Sequence, residues 1–434
     1  MSSEMKKAYR HLKTTRRMKE LLPRFFMRMM EKKENPAWCM AGIPPELLKA
    51  FELDWEWPEN FGTLCAAQMV APQFISVAEG DGYSAELCTY VTNTMGYCKL
   101  FLEQGEAPPE SPMPGGMGKP AMLLGSGFAC EPRWKWFQSI ATRYFDVPVH
   151  SSDPMSPPWD EDLDDPRIKE HYLDQLRADL QGQVDFLEQQ TGKSLNYNLL
   201  REILELSQEA IYYWSEVIKL RKEVPSPMGA TDYFTAIIPQ MYMLGEEEAV
   251  KFYRELYDEV KERAERKIGV VDDEKYRLMW FGLPPWYNLG MFNYLEGHGA
   301  VTVYESIYNV GDYVKLDLSD PLEALIQRTW KRAVQAHKYG TETMPENFNP
   351  AVFGGFTGSS FLNELVEEYQ INGAVHHITR SCRVASFGLV HTRNRLAKLG
   401  VNSLIFESDM TDPRHWSDSQ IKTRINAFLE TLDK

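Results

Sequence analysis

Gly373-Ala-Val-His-His377 is a short apolar run that passes through Ile-Thr-Arg-Ser to Cys382. It has companions in Arg277-Leu-Met-Trp-Phe281, Ala300-Val-Thr-Val-Tyr304 and Ser403-Leu-Ile-Phe-Glu407, each followed by a loop and a helical pattern. Runs of this kind, apolar at successive positions, suit parallel strands covered on both faces. Upstream, Ala121-Met-Leu-Leu-Gly125 has the same texture, and helical patterns open at Gly42-Ile-Pro-Pro-Glu-Leu-Leu48 and after Ser84. The fold class expected is therefore α/β, with two doubly wound parallel-sheet domains.

The segments between these runs set the boundaries. His150 to Arg167 is rich in proline and acidic residues and lacks periodicity, so it reads as a linker or surface loop. Residues 169–266 carry apolar side chains at i, i+3 and i+4, the mark of amphipathic helices. The expected organisation is a basic N-terminal helical arm over 1–35, interrupted near Pro23, and a first α/β domain over 36–165. A helical connector follows over 166–268 and a second α/β domain over 269–434. A last helix is marked by Ser417 and Gln420 as a capping box and by Ile421, Ile425, Phe428 and Leu429 as its inward stripe.

Length and charge restrict the function. A chain of 434 residues exceeds one ordinary hydrophobic core, and 43% hydrophobic with 25% charged residues excludes a disordered chain. A net charge of −15 argues against general nucleic-acid binding, which needs a basic surface. Residues 1–33 run the other way, with eleven Lys or Arg against three Glu, which suggests a basic helix docked on its own acidic body. No stretch has the length of a membrane span and the start is too charged for a secretory signal, so a cytoplasmic location is expected.

Six cysteines occur, with no CxxC pair and no disulfide-like spacing. Cys39, Cys65 and Cys98 lie in apolar or helical runs and read as packing residues. The others stand where ligands gather in α/β folds. Cys130 and Cys382 each follow a strand, and Cys88 sits one turn into the helix expected after Ser84, where the dipole favours a thiolate. These placements alone leave core thiols as the ordinary reading. Zinc on His376, His377 and Cys382 is disfavoured, because adjacent strand residues point to opposite faces. There is no GxxxxGK[ST], and Gly125-Ser-Gly-Phe-Ala-Cys130 places cysteine where a dinucleotide fingerprint needs glycine. Trp280, Phe281, Trp286, Tyr287, Phe292 and Tyr294 suit either a pocket wall or core. Arg380, Arg383 and Arg414 suit phosphates or internal pairs, and Glu59 and Glu86 are candidate proton-transfer groups.

A set of segments, in order from about residue 36 to the end, resembles the cluster-bearing subunits of 2-hydroxyacyl-CoA dehydratases and ATP-dependent benzoyl-CoA reductases. They include Trp57-Pro-Glu-Asn60, Tyr83-Ser-Ala-Glu-Leu-Cys-Thr-Tyr-Val91, Ala129-Cys-Glu131 and Tyr144-Phe-Asp-Val-Pro148. Near the end come Arg380-Ser-Cys382, Asp409-Met-Thr-Asp-Pro-Arg414 and Gln420-Ile-Lys-Thr-Arg-Ile-Asn-Ala-Phe428. The resemblance implies a [4Fe-4S] cluster on Cys88, Cys130 and Cys382 with one iron left open. It further implies an acyl-CoA substrate, a homologous second cluster-bearing subunit and a separate ATP-hydrolysing, low-potential electron donor. The aromatic Trp280-Phe-Gly-Leu-Pro-Pro-Trp-Tyr287 segment and the length lean toward the B-type subunit of a benzoyl-CoA reductase. The alternatives are a subunit of an (R)-2-hydroxyacyl-CoA dehydratase, and an electron-relay or scaffold subunit with no active site of its own.

Overall fold

The computed structural model describes residues 11–18, 20–22, 36–127, 130, 132–152, 162–308, 313–341, 362–386 and 388–433. The chain is α/β, built on two parallel four-stranded sheets. Strands β1 (Ala37–Cys39), β2 (Trp55–Glu56), β3 (Met122–Ser126) and β4 (Val149–Ser152) form the first, in the order β2-β1-β3-β4. Strands β5 (Tyr276–Phe281), β6 (Ala300–Glu305), β7 (Gly373–Thr379) and β8 (Asn402–Ser408) form the second, in the order β6-β5-β7-β8. In both sheets the order reverses beside the first strand of the set, which creates the topological switch point where open α/β sheets hold ligands.

The apolar runs became strands for the reason given by their pattern. Alternate residues of β5 enter different cores: Leu278 and Trp280 join the large one, Met279 and Phe281 a smaller one behind the sheet. Both faces are covered, so no polar alternation is needed. Three strands escaped the sequence pattern: β1, β2 and β4 are short, and β2 and β4 carry the polar residues Glu56, His150, Ser151 and Ser152. Val149–Ser152 also lies at the head of the stretch expected to be a linker, which is thus corrected there: parallel pairing with β3, not hydrophobicity, holds it. The linker's middle and Pro23 lie outside the described residues.

The helical stretch forms as expected. Asp165 accepts a hydrogen bond from Arg167 N to cap the helix Pro166–Thr191, and Gly192 ends it with φ at 68°. Asn196 caps Tyr197–Leu220, whose Leu200, Ile203, Leu204, Trp214 and Val217 are buried. The last helix, Asp418–Leu432, buries Ile421, Ile425, Phe428 and Leu429, but Ser417 makes no side-chain capping bond, so the capping box is not formed. The described part of the basic arm, within residues 11–22, docks on the chain's own acidic surface. Lys13 N and Thr14 N donate to Glu259, Leu12 N donates to Asp232, and Arg17 pairs with Glu255.

Candidate functional site

The seam between the sheets carries the three singled-out cysteines. Cys130 follows β3 and Cys382 follows β7. Cys88 is itself the N-cap of the helix Thr89–Gln104, with φ −47° and ψ 126°. The expected helix start after Ser84 is corrected: Ser84 Oγ accepts from Glu86 N, closing a local turn that competes with helix there.

Burial pushes the Cys88 thiol well up, and the charges of Cys382 and Cys130 add to the rise. The neighbouring residues show the closeness of two of them directly: Thr89 N, one residue after Cys88, meets Ser381 Oγ, one residue before Cys382, at 3.3 Å. Amide donors at Tyr90 and Val91 work the other way, the local expression of the helix dipole, and do not offset the desolvation. Burial also raises the Cys382 thiol, opposed by the Ala385 and Val384 amides. At Cys88 and Cys382 the expected tilt toward thiolate is therefore outweighed by burial; a metal centre, by contrast, displaces the proton outright.

Backbone and side-chain bonds lock the seam. Thr89 N donates to Ser381 Oγ at 3.3 Å, and Thr89 Oγ1 donates to Asp409 at 2.7 Å. Asn93 donates to Thr411 Oγ1 at 3.1 Å. Aromatic side chains close the same region: Trp286 Nε1 donates to the Tyr90 hydroxyl at 2.7 Å, and Tyr308 lies against Trp286 with ring centroids 6.0 Å apart. Burial drives the Tyr308 hydroxyl pKa up, and the charges of Glu59 and Cys382 reinforce this.

The remaining candidates separate into structural and local roles. Glu59 is 3.0 Å from Arg133 and accepts from Ala41 N at 2.8 Å, while the same arginine donates to Ala41 O. Glu86 is exposed and pairs across the seam with Arg380 at 3.2 Å. Arg414 pairs with Asp412 and Glu79. Trp280 and Phe292 belong to the core, with ring centroids 4.9 Å apart. His376 stacks on Phe281, whereas His377 faces Trp280 and Phe406, so the two rings do point to opposite sides of β7. Cys39, Cys65 and Cys98 are buried packing residues. Sequence reasoning missed Thr89, Ser381 and Asp409 as a connected set; each lies at or within a residue of a quoted motif, but their convergence is visible only in three dimensions.

Among the described residues, no three His, Cys, Asp or Glu side chains are set to hold a single metal ion. A multi-iron cluster spreads its thiolates over several irons, wider apart than ligands on one ion, and three half-buried free thiols, two of them on segments joined by Thr89 and Ser381, are the donor type it takes.

The profile of the family described as 2-hydroxyglutaryl-CoA dehydratase, D-component, matches residues 40–432. The chain belongs to this family. Among similar proteins, the (R)-2-hydroxyisocaproyl-CoA dehydratase alpha subunit of Clostridioides difficile is 25% identical over 400 residues, covering 92% of this chain and 90% of that protein. The lactoyl-CoA dehydratase alpha subunit of Anaerotignum propionicum is 23% identical over 416 residues, covering 92% and 91%. The B-type subunit of the benzoyl-CoA reductase of Thauera aromatica is 26% identical over 438 residues, covering 96% and 94%. Membership in this family bears out the resemblance read from the motifs. Among the described residues no helix is long and apolar enough to cross a membrane.

Proposed function

We propose that this D-component-family chain is the [4Fe-4S]-bearing subunit of an acyl-CoA enzyme that works by single-electron reduction, with Cys88, Cys130 and Cys382 as the cluster's ligands. The observation that supports the reading is the joining of the Cys88 and Cys382 segments through Thr89, Ser381 and Asp409, with Cys130 following β3. A cluster held by three thiolates supplies single electrons and an open iron that acts as a Lewis acid.

The chain's own residues supply the rest. Thr89, Ser381 and Asn93 bind the two halves into one wall, and the Arg380–Glu86 pair crosses the seam at its surface. Trp286, Tyr90 and Tyr308 pack on one another as buried or half-buried, mainly apolar rings that exclude water beside the seam. Such a wall suits a planar acyl group, which supports the benzoyl-CoA reductase branch, with electron addition to an aromatic ring. The second reading, an (R)-2-hydroxyacyl-CoA dehydratase subunit, is favoured by the dehydratase alpha subunits among the relatives. Under either reading the chain works with a homologous second subunit and an ATP-hydrolysing electron donor.

The test is anaerobic purification with co-expressed partner subunits and an ATP-driven donor, followed by turnover of benzoyl-CoA and of an (R)-2-hydroxyacyl-CoA. Ring reduction is expected. Dehydration without ring reduction moves the chain to the lyase branch, and normal turnover after removal of this chain's cluster makes it a scaffold.

A further inference from the structure

We infer that Asp409 is a positioning residue that fixes Cys88 and Cys382 relative to one another and sets the reducing power of the group they hold. The inference rests on the cluster reading above. Asp409 is the buried residue immediately after β8. Its Oδ1 accepts from Thr89 Oγ1 at 2.7 Å, Thr411 N at 2.9 Å and Asp412 N at 3.1 Å. Its Oδ2 accepts from Ser381 N at 3.2 Å and from Ser381 Oγ. All of these partners are donors, the set that suits a carboxylate.

The connectivity matters more than the bond count. Thr89 is the residue after Cys88 and Ser381 is the residue before Cys382. One carboxylate therefore grips the chain next to both cysteines, from two segments nearly three hundred residues apart, and Thr89 N closes the ring by donating to Ser381 Oγ. An aspartate that served only its own turn would need Thr411 N and Asp412 N alone. The further bonds to Thr89 and Ser381 hold the two domains in register at the position where their cysteines meet.

Charge gives the second part of the role. Burying a carboxylate is costly, and a neutral side chain could join the same turns, so the charge itself calls for a use. Asp409 Oδ2 lies 3.2 Å from Ser381 N, one residue before Cys382, so its charge sits beside that ligand-bearing segment. A negative charge at this range stabilises the more oxidised, more positive state of a redox group bound to Cys382 and makes its reduced state a stronger reductant.

Two variants separate position from charge in the complex purified anaerobically. Asp409→Asn keeps the shape and the Oδ1 acceptor for Thr89, Thr411 N and Asp412 N but removes the charge and the acceptor that faces Ser381; we expect iron and sulfide content near wild type. We expect about tenfold more reduced cluster at a fixed poise, equal to about 59 mV for a one-electron couple, read by electron paramagnetic resonance in a redox titration. The pair Thr89→Val and Ser381→Ala keeps the charge but removes its side-chain grip on both ligand-bearing segments, leaving only the Ser381 N bond. We expect several-fold faster loss of iron to a chelator at wild-type potential. An unchanged potential in D409N overturns the charge role. Wild-type iron retention in the Thr89/Ser381 variant overturns the positioning role, and decides it even if D409N does not fold. Wild-type protein without iron refutes the cluster reading itself, a different outcome from either.

Discussion

Glu296 ends the helix Gly290–Glu296 and is buried, 3% exposed. Desolvation first, then the charge of Asp232, raises its pKa from 4.5 to about 8, with Arg221 opposing. A carboxyl group whose folded pKa exceeds its unfolded one binds its proton more tightly when folded. Its contribution is therefore intact below pH 4.5 and is lost as pH rises toward about 8. Each pKa unit is worth about 1.4 kcal/mol, so the rise from 4.5 to about 8 makes the loss about 5 kcal/mol by pH 9. Glu296→Gln keeps the size and hydrogen-bonding shape without the ionisation. In urea denaturation at pH 5, 7 and 9, wild type should lose stability across this range while E296Q stays nearly level, so that the variant becomes the more stable protein at pH 9. Parallel stability curves for the two proteins would refute the reasoning.

Gly96 faces the helix Ala71–Gly80 so closely that a Cβ would lie 2.0 Å from the Phe74 carbonyl oxygen. Gly96→Ala should cost about 3 kcal/mol through forced separation of the two helices, measured by thermal melting; a change under about 1 kcal/mol would show that the contact is soft. Arg221 and Glu305 form a buried pair, with Arg221 Nη2 also donating to Thr302 O. Arg221→Ala leaves the carboxylate without its cation and should cost about 3–5 kcal/mol in denaturant unfolding, whereas a cost near zero would place the pair outside the cooperative core.

The strands of the second sheet were legible because each is buried on both faces and its sequence is therefore continuously apolar. Trp280 and Phe281 face different cores yet look alike in sequence. The first sheet was only partly legible. Trp55–Glu56 and Val149–Ser152 are too short and too polar to declare themselves, and exist as strands because β1 and β3 offer parallel partners. Cys88 was found by its motif, but its position in the helix was not. Ser84 is as good a helix-capping residue as any, and only the turn it closes with Glu86 shows that the helix begins later. Thiol acidity was misjudged because sequence shows the helix start and not the desolvation around it. Asp409 was quoted within a motif, and only folding places it beside Thr89 and Ser381, from two distant segments.

Iron and sulfide content reads the role of the three cysteines without any need for turnover. In anaerobically purified protein, Cys88→Ala, Cys130→Ala and Cys382→Ala should each lose the cluster's iron and its visible absorbance, while Cys39→Ala and Cys98→Ala keep both. Full iron and sulfide content in any of the first three variants would contradict the account.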